Sequence, residues 1–103
     1  MSVSCQYVFF MHNMPQGIEF DPLKASSNLR KHGVDFAHAE QALRDPQADT
    51  VEDPDAIGEA RFVTLGRDAA GRILVVAWTP RGDRARIISA RKASNGEANS
   101  YAQ

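Results

Sequence analysis

Phe36, Ala39 and Leu43 recur at i, i+3 and i+7, one face of a helix, and from Ala48 onward the apolar pattern shortens to that of strands. Ahead of that face, Asp21-Pro22 starts an earlier helix: aspartate accepts orphan N–H groups and proline fits the first helical position. It runs through KASSNLRKH and stops at Gly33, with Lys31 and His32 in the last turn, where positive charge suits the dipole. Asp35 caps the second helix, and Asp45-Pro46 ends it, because the residue before proline is pushed out of the helical region. Two short helices meeting at a glycine corner form a helical hairpin.

Residues 48–52 then read as a short strand and residues 61–65 as a better one. RDAAG, residues 67–71, is a hairpin loop. ILVVAWT, residues 73–79, is β-branched and apolar on both faces, like a central strand. Pro80-Arg81-Gly82-Asp83 is expected to turn the chain, and ARIISA, residues 85–90, returns beside it. Residues 93–103 are polar, a short helix or a loose tail. Helices followed by a meander of strands predict an α+β fold, with two helices on one face of an antiparallel sheet of about four strands.

The N-terminus stands apart. CQYVFFM, residues 5–11, is apolar, yet no positive region precedes it and it is too short to span a bilayer, so a signal peptide is not expected. Residues 1–17 read as a leader, either a non-native start or an edge strand, with Met11 and Met14 as alternative starts; residues 18–103 form the organised domain. At 103 residues with 43% hydrophobic and 24% charged composition, the chain fits one globular domain. A single cysteine, Cys5, leaves no disulfide framework and points to the cytoplasm.

Net charge is −1, but its distribution is uneven. Residues 1–60 hold four basic against ten acidic side chains, whereas residues 61–92 hold eight basic, seven of them arginine, against two acidic. The asymmetry predicts an anionic ligand for the second half and a cationic neighbour for the first; the alternative is that the strand arginines pair with the acidic half. In a meander Arg61, Arg81, Arg84, Arg86 and Arg91 are neighbours. Arg84 and Arg86 share one face of the last strand and Arg91 takes the other, provided the alternation is unbroken. Guanidinium forks suit phosphate.

No metal site is expected, because His12, His32 and His38 are scattered. No cofactor is expected either: Gly66, Gly71 and Gly82 are isolated rather than a phosphate loop, and Ser89 lacks the strand–turn–helix context of an activated serine. Metal-free RNA cleavage needs less: the ribose 2′-OH attacks its own phosphate while cations stabilise the phosphorane. Arg61 and Arg81 are the leading candidates for that role, and His32 or Glu59 for base or acid. The alternative for His32 is a role at its helix dipole alone, and for Glu59 a solvated strand-end charge. Trp78 reads as core rather than as a base-stacking platform. Tyr101 could stack or donate a proton.

EFDPLKASSNLRKHGVDFAHA, DP at 45–46, EARFVTLG, GRILVVAWTPRG, RARIISARKA, Glu97 and Tyr101 together resemble the BrnT family of toxins from type II toxin–antitoxin systems, over residues 18–101. The resemblance implies a RelE-like fold and a metal-independent endoribonuclease that arrests growth. It implies as partner a BrnA-like antitoxin, forming a heterotetramer and contacting DNA only through that antitoxin. The family's basic and polar positions fall on Lys31, His32, Arg61, Arg81, Arg86 and Arg91, with Glu97 and Tyr101; Lys31, Arg84, Arg86, Arg91 and Tyr101 are the expected RNA contacts. Three features depart from the pattern. Phe20 stands where the family often has tryptophan, residues 55–58 (DAIG) lack a histidine common before Glu-x-Arg, and the leader is atypical. The missing histidine supports an alternative, a degenerate homologue that binds its antitoxin and aids operon repression without cutting RNA.

Overall fold

The structure, a computed structural model, describes residues 17–102. The leader expected over residues 1–17 therefore lies, but for Gly17, outside the described residues. The elements run β1 (Ile18–Glu19), α1 (Pro22–His32), α2 (Phe36–Leu43), β2 (Asp49–Glu52), β3 (Phe62–Arg67), β4 (Ile73–Arg81), β5 (Arg84–Lys92) and α3 (Asn95–Ala102). The α+β class, the helical hairpin and the meander are as expected. No helix among the described residues is long and apolar enough to cross a membrane.

Among the described residues the sheet has five strands, where about four are expected, in the order β1-β5-β4-β3-β2. The additional strand, β1, runs parallel to β5, so the sheet is mixed. Two residues are too few to register as alternation, which is why the sequence pattern passes over them. A second correction concerns the last hairpin. Arg81 pairs with Arg84 inside the ladder, so only Gly82 and Asp83 form the turn, and Pro80 lies within β4. Gly82 has φ of 59°, which suits it to the first central position of a two-residue hairpin turn.

The core lies between the sheet and α1–α2. Leu74, Val76 and Trp78 of β4 and Ala85, Ile87 and Ala90 of β5 meet Val34, Phe36, Ala39, Ala42 and Leu43. Trp78 is only 3% exposed; its indole N–H donates to Thr64 Oγ1 at 2.8 Å and its ring stacks on Phe62 at 5.1 Å. It is a core residue, as the apolar strand implied. Helix α2 lies directly on β3: a Cβ added at Gly66 would stand 2.2 Å from the Ala42 carbonyl oxygen. Gly66 is thus a close-approach residue rather than part of a hairpin loop.

Helix α1 buries only one side chain, Asn28. Its amide group donates to the carbonyls of Val34 (3.0 Å) and Ala90 (2.8 Å), and its Oδ1 accepts from Ala90 N–H at 3.1 Å. Strand β1 covers β5 only at Ala85 and Arg86, so beyond it the carboxamide replaces a neighbouring strand. Helix α3 buries nothing. Ser94 and Glu97 form its capping box, Glu97 takes both Nη atoms of Arg91 at 2.8 and 2.9 Å, and Tyr101 donates to Asp45 at 2.5 Å.

Replacing Asn28 with alanine strands three buried backbone bonds, and we expect a loss of about 3 kcal/mol, read as a lower urea midpoint at unchanged slope; an unshifted midpoint would remove Asn28 from this role. A second expectation concerns acid. Hydrogen bonds from Arg91, then from the Ser94 N–H, lower the Glu97 pKa from 4.5 to about 2. A depressed folded-state value means the contribution is complete above pH 4.5 and lost as pH falls towards about 2. Helix α3 should therefore lose amide protection in that window before the sheet does; protection that persists at the acid end would contradict it.

Candidate functional site

The register decides which side chains share a surface. On β4, Leu74, Val76 and Trp78 face the helices, so Val75, Ala77, Thr79 and Arg81 face away. On β5 the alternation breaks. Ala77 pairs with Ser89 and Trp78 with Ile87, leaving Ile88 as the extra residue of a β-bulge. The core side accordingly shifts from Ala85 and Ile87 to Ala90. The expectation that Arg91 takes the opposite face from Arg84 and Arg86 rested on unbroken alternation. The bulge overturns it, and all three arginines lie on the face turned away from α1 and α2, which is helix-free at the Arg84–Arg86 end and meets α3 at Arg91.

At one end of this face the candidates converge. Glu19 pairs with Arg86 across β1–β5, and Arg86 with Thr79 across β5–β4. Arg61, one residue ahead of the Phe62–Trp78 pair, continues the row beside Thr79. One step further along, Arg81 and Arg84 stand opposite each other, about 7 Å from that row at strand rise. Four arginines thus occupy two adjacent rows.

Three of them are already partnered. Arg61 Nε holds Asp53 Oδ2 at 3.0 Å, Arg81 Nη1 holds Glu59 Oε2, and Arg86 Nη1 lies 3.5 Å from Glu19 Oε2. Arg84 has no partner among the described residues. The pairing alternative is therefore realised for three arginines, and Arg91 adds a fourth pair with Glu97. All are surface pairs: the guanidinium side chains are 38–45% exposed and Glu59 is 57% exposed. Such pairs are worth little in water and can exchange partners. The hydrogen bond from Arg81 holds the Glu59 carboxyl below its usual pKa, and the same bond raises Arg81. Asp53 is lowered first by the Asp55 N–H and then by Arg61.

Beside this cluster lies an open depression of about 150 Å³, lined by Ala56, Ile57, Glu59, Arg61, Thr79 and Ile88, among others. The 53–60 loop forms one wall. It is fastened by the Asp53–Arg61 pair at one end and, at the other, by Thr79 Oγ1, which donates to the Ala60 carbonyl at 2.6 Å. Thr79, Asp53, Glu19, Ile57 and Ile88 were not singled out from sequence. Their signal is positional, and it emerges only once the strand register is known.

The remaining expected residues are elsewhere. Lys31 and His32 close α1 beside Gly33, whose carbonyl accepts from Arg72 at 3.3 Å, just ahead of β4. Arg81 ends that strand, so roughly 30 Å of extended chain separates the two points. His32 is not brought to Arg61, Arg81 or Glu59. Arg91, opposite Val75, shares the face but sits about 20 Å along it from Arg81. Tyr101 is at the same far end, its hydroxyl on Asp45 and its ring 5.4 Å from the Arg67 guanidinium carbon. The bond to Asp45 is the main reason its pKa is raised. No cluster of three or more potential metal ligands occurs among the described residues.

Comparison with known proteins bears on this geometry. The chain is similar to the crystal structure of the Brucella abortus ribonuclease toxin BrnT, at 30% identity over 77% of this chain and 97% of that one, with a TM-score of 0.58. No curated protein matches it. The model of the family described as ribonuclease toxin, BrnT, of type II toxin–antitoxin system matches residues 20–97. A match over most of the chain, joined to a similar fold, places it: the chain belongs to the BrnT family of ribonuclease toxins of type II toxin–antitoxin systems.

Proposed function

We propose that the chain is a metal-independent endoribonuclease that cuts RNA through its own 2′-OH at the Arg61–Arg81–Arg84–Arg86 end of the helix-free face. The observation that carries this reading is the convergence of four arginines with one exposed carboxylate, Glu59, held against Arg81. A phosphodiester entering there competes with Glu59, Asp53 and Glu19 for the guanidinium groups. Once Arg81 binds phosphate, Glu59 loses the bond that lowers its pKa and becomes a better proton acceptor. It takes the 2′-OH proton as the 2′ oxygen bonds to phosphorus. The P–O5′ bond then breaks and the leaving O5′ takes a proton from solvent water, giving a 2′,3′-cyclic phosphate and a 5′ hydroxyl, while the arginines stabilise the phosphorane.

His32 has no part in this scheme because it lies at the other end of the sheet. Arg91 extends the track along the same face; Lys31 and Tyr101 fall outside it. The toxin domain comprises residues 18–103 with a RelE-like fold and acts in the cytoplasm. Free toxin arrests growth. A BrnA-like antitoxin neutralises it in a heterotetramer and carries it to DNA indirectly.

Purified, antitoxin-free protein is expected to cut RNA in the presence of chelator and to leave an all-2′-deoxy strand intact. Arg81→Ala should lose about 10²-fold or more in rate, the usual cost of one charge-stabilising donor. Glu59→Gln should lose a comparable factor with KM little changed. An Arg81→Ala protein that cuts as fast as wild type would place the chemistry elsewhere. Intact RNA together with harmless expression would leave the degenerate, antitoxin-binding reading, which the missing histidine at 55–58 favours.

A further inference from the structure

One feature of this end of the molecule is unused by the cleavage scheme. Ile57 is 97% exposed, the most exposed of the large apolar side chains among the described residues, yet its loop is fastened at both ends. Alongside it, Ala56 and Ile88 add apolar side chains to a depression whose surface is otherwise mainly polar, with Arg61 and Glu59 in its lining. A hollow of about 150 Å³ is half the size of the smallest usual ligand pocket. It has room for one ring system but not for a whole nucleotide.

We propose that this depression is a base subsite: it takes a single unstacked nucleobase next to the phosphate held by Arg61 and Arg81, so the substrate is single-stranded RNA. The proposal rests on the ribonuclease reading and deepens it. Three physical points favour a base over other occupants. The depression is continuous with the arginine rows through Arg61, so a ligand filling it carries phosphate beside a flat group with a polar edge, which is the chemistry of a nucleotide. Within an A-form duplex the bases are stacked and the major groove is too narrow for side chains, so only a splayed base reaches such a wall. Finally, the mainly polar lining, with Arg61 and Glu59 in it, suits the donor and acceptor edge of a base, as the exposed Ile57 suits its face. The subsite therefore takes both the face and the edge of one base.

The test uses the full chain and a short fluorescent RNA with 2′-O-methyl riboses, which binds but is not cut. It is offered as a single strand, as a duplex with its complement, and as an otherwise identical strand with abasic positions. Wild type should bind the single strand at least about tenfold more tightly than either alternative. Ile57→Ser should weaken single-strand binding about tenfold, and Ile57→Phe should retain or tighten it. Because Ile57 is exposed, both variants should keep the wild-type urea midpoint. Equal affinity for single strand and duplex, or an Ile57→Ser protein that binds as wild type, overturns the subsite. An Ile57→Ser protein that binds and cuts RNA normally but escapes its antitoxin also overturns it, assigning the patch to the protein partner. Cleavage of unmodified RNA is scored separately. Wild type that binds with Ile57 dependence but never cuts defeats the enzyme reading and leaves the subsite standing, whereas cleavage unaffected at Ile57 does the reverse.

Discussion

The buried carboxamide of Asn28 joins three parts of the chain that nothing else joins so directly. It takes the carbonyl at the α1–α2 corner through Val34, and both backbone groups of Ala90 on β5. Helix α1 contributes almost no buried apolar surface, with Leu23 and Leu29 substantially exposed, so its position on the sheet depends on these bonds more than on packing. A buried amide whose hydrogen bonds are all made stabilises modestly, but it specifies one arrangement, because any other leaves buried donors and acceptors unpaired. The position of α1 in turn sets Glu19 and Phe20 ahead of it. Phe20 packs edge-on against Phe36 at 5.6 Å, and Glu19 reaches Arg86. One polar core contact thus bears on the Arg86–Arg61 row of the arginine cluster.

The parts of the fold legible in the sequence are those with local chemical causes. Asp21 and Asp35 cap helices through their own carboxylates, and Trp78 is apolar in context and buried in fact. What escaped is what depends on pairing. Strand β1 exists only because β5 is beside it, and Pro80 and Arg81 stay in the ladder because Arg84 pairs across from Arg81. The bulge at Ile88 leaves no mark in ARIISAR, yet it moves Arg91 from one face to the other. A single inserted residue changes the face of everything after it, so the expected split of the arginines failed for a reason that periodicity cannot carry. The tail, open between a short helix and a loose end in the sequence, is a helix started by the Ser94–Glu97 capping box.

Charge asymmetry along the chain also acquires a different meaning once the pairs are visible. The acidic first half and the arginine-rich second half are partly each other's counterions: Asp53, Glu59 and Glu19 each hold an arginine of the cluster. This does not argue against an anionic ligand. An unpaired cluster of four guanidinium groups would repel itself and destabilise this end of the sheet. Exposed carboxylates relieve that repulsion at small net energy, since surface pairs contribute at most about 1 kcal/mol. A phosphate able to engage two forks at once, with bidentate geometry, is the stronger partner.

The same reasoning bears on the absent histidine. Where the resemblance leads one to expect an imidazole, this chain has Asp55, Ala56, Ile57 and Gly58, so near the arginine rows the titratable groups of this loop are carboxylates alone. A carboxylate clamped by arginine is a weak base while the site is empty and a stronger one when phosphate displaces it. Basicity is then coupled to occupancy, whereas a free imidazole would titrate independently of the ligand. Glu59 is suited to this because its side chain is more than half exposed and its bond to Arg81 is its principal perturbation. His32 cannot substitute, since its helix ends beside Arg72, at the opposite end of β4. On the proposed reading, proton transfer at the arginine rows would depend on the exchange of partners at Arg81, and the same exchange would link substrate binding to chemistry.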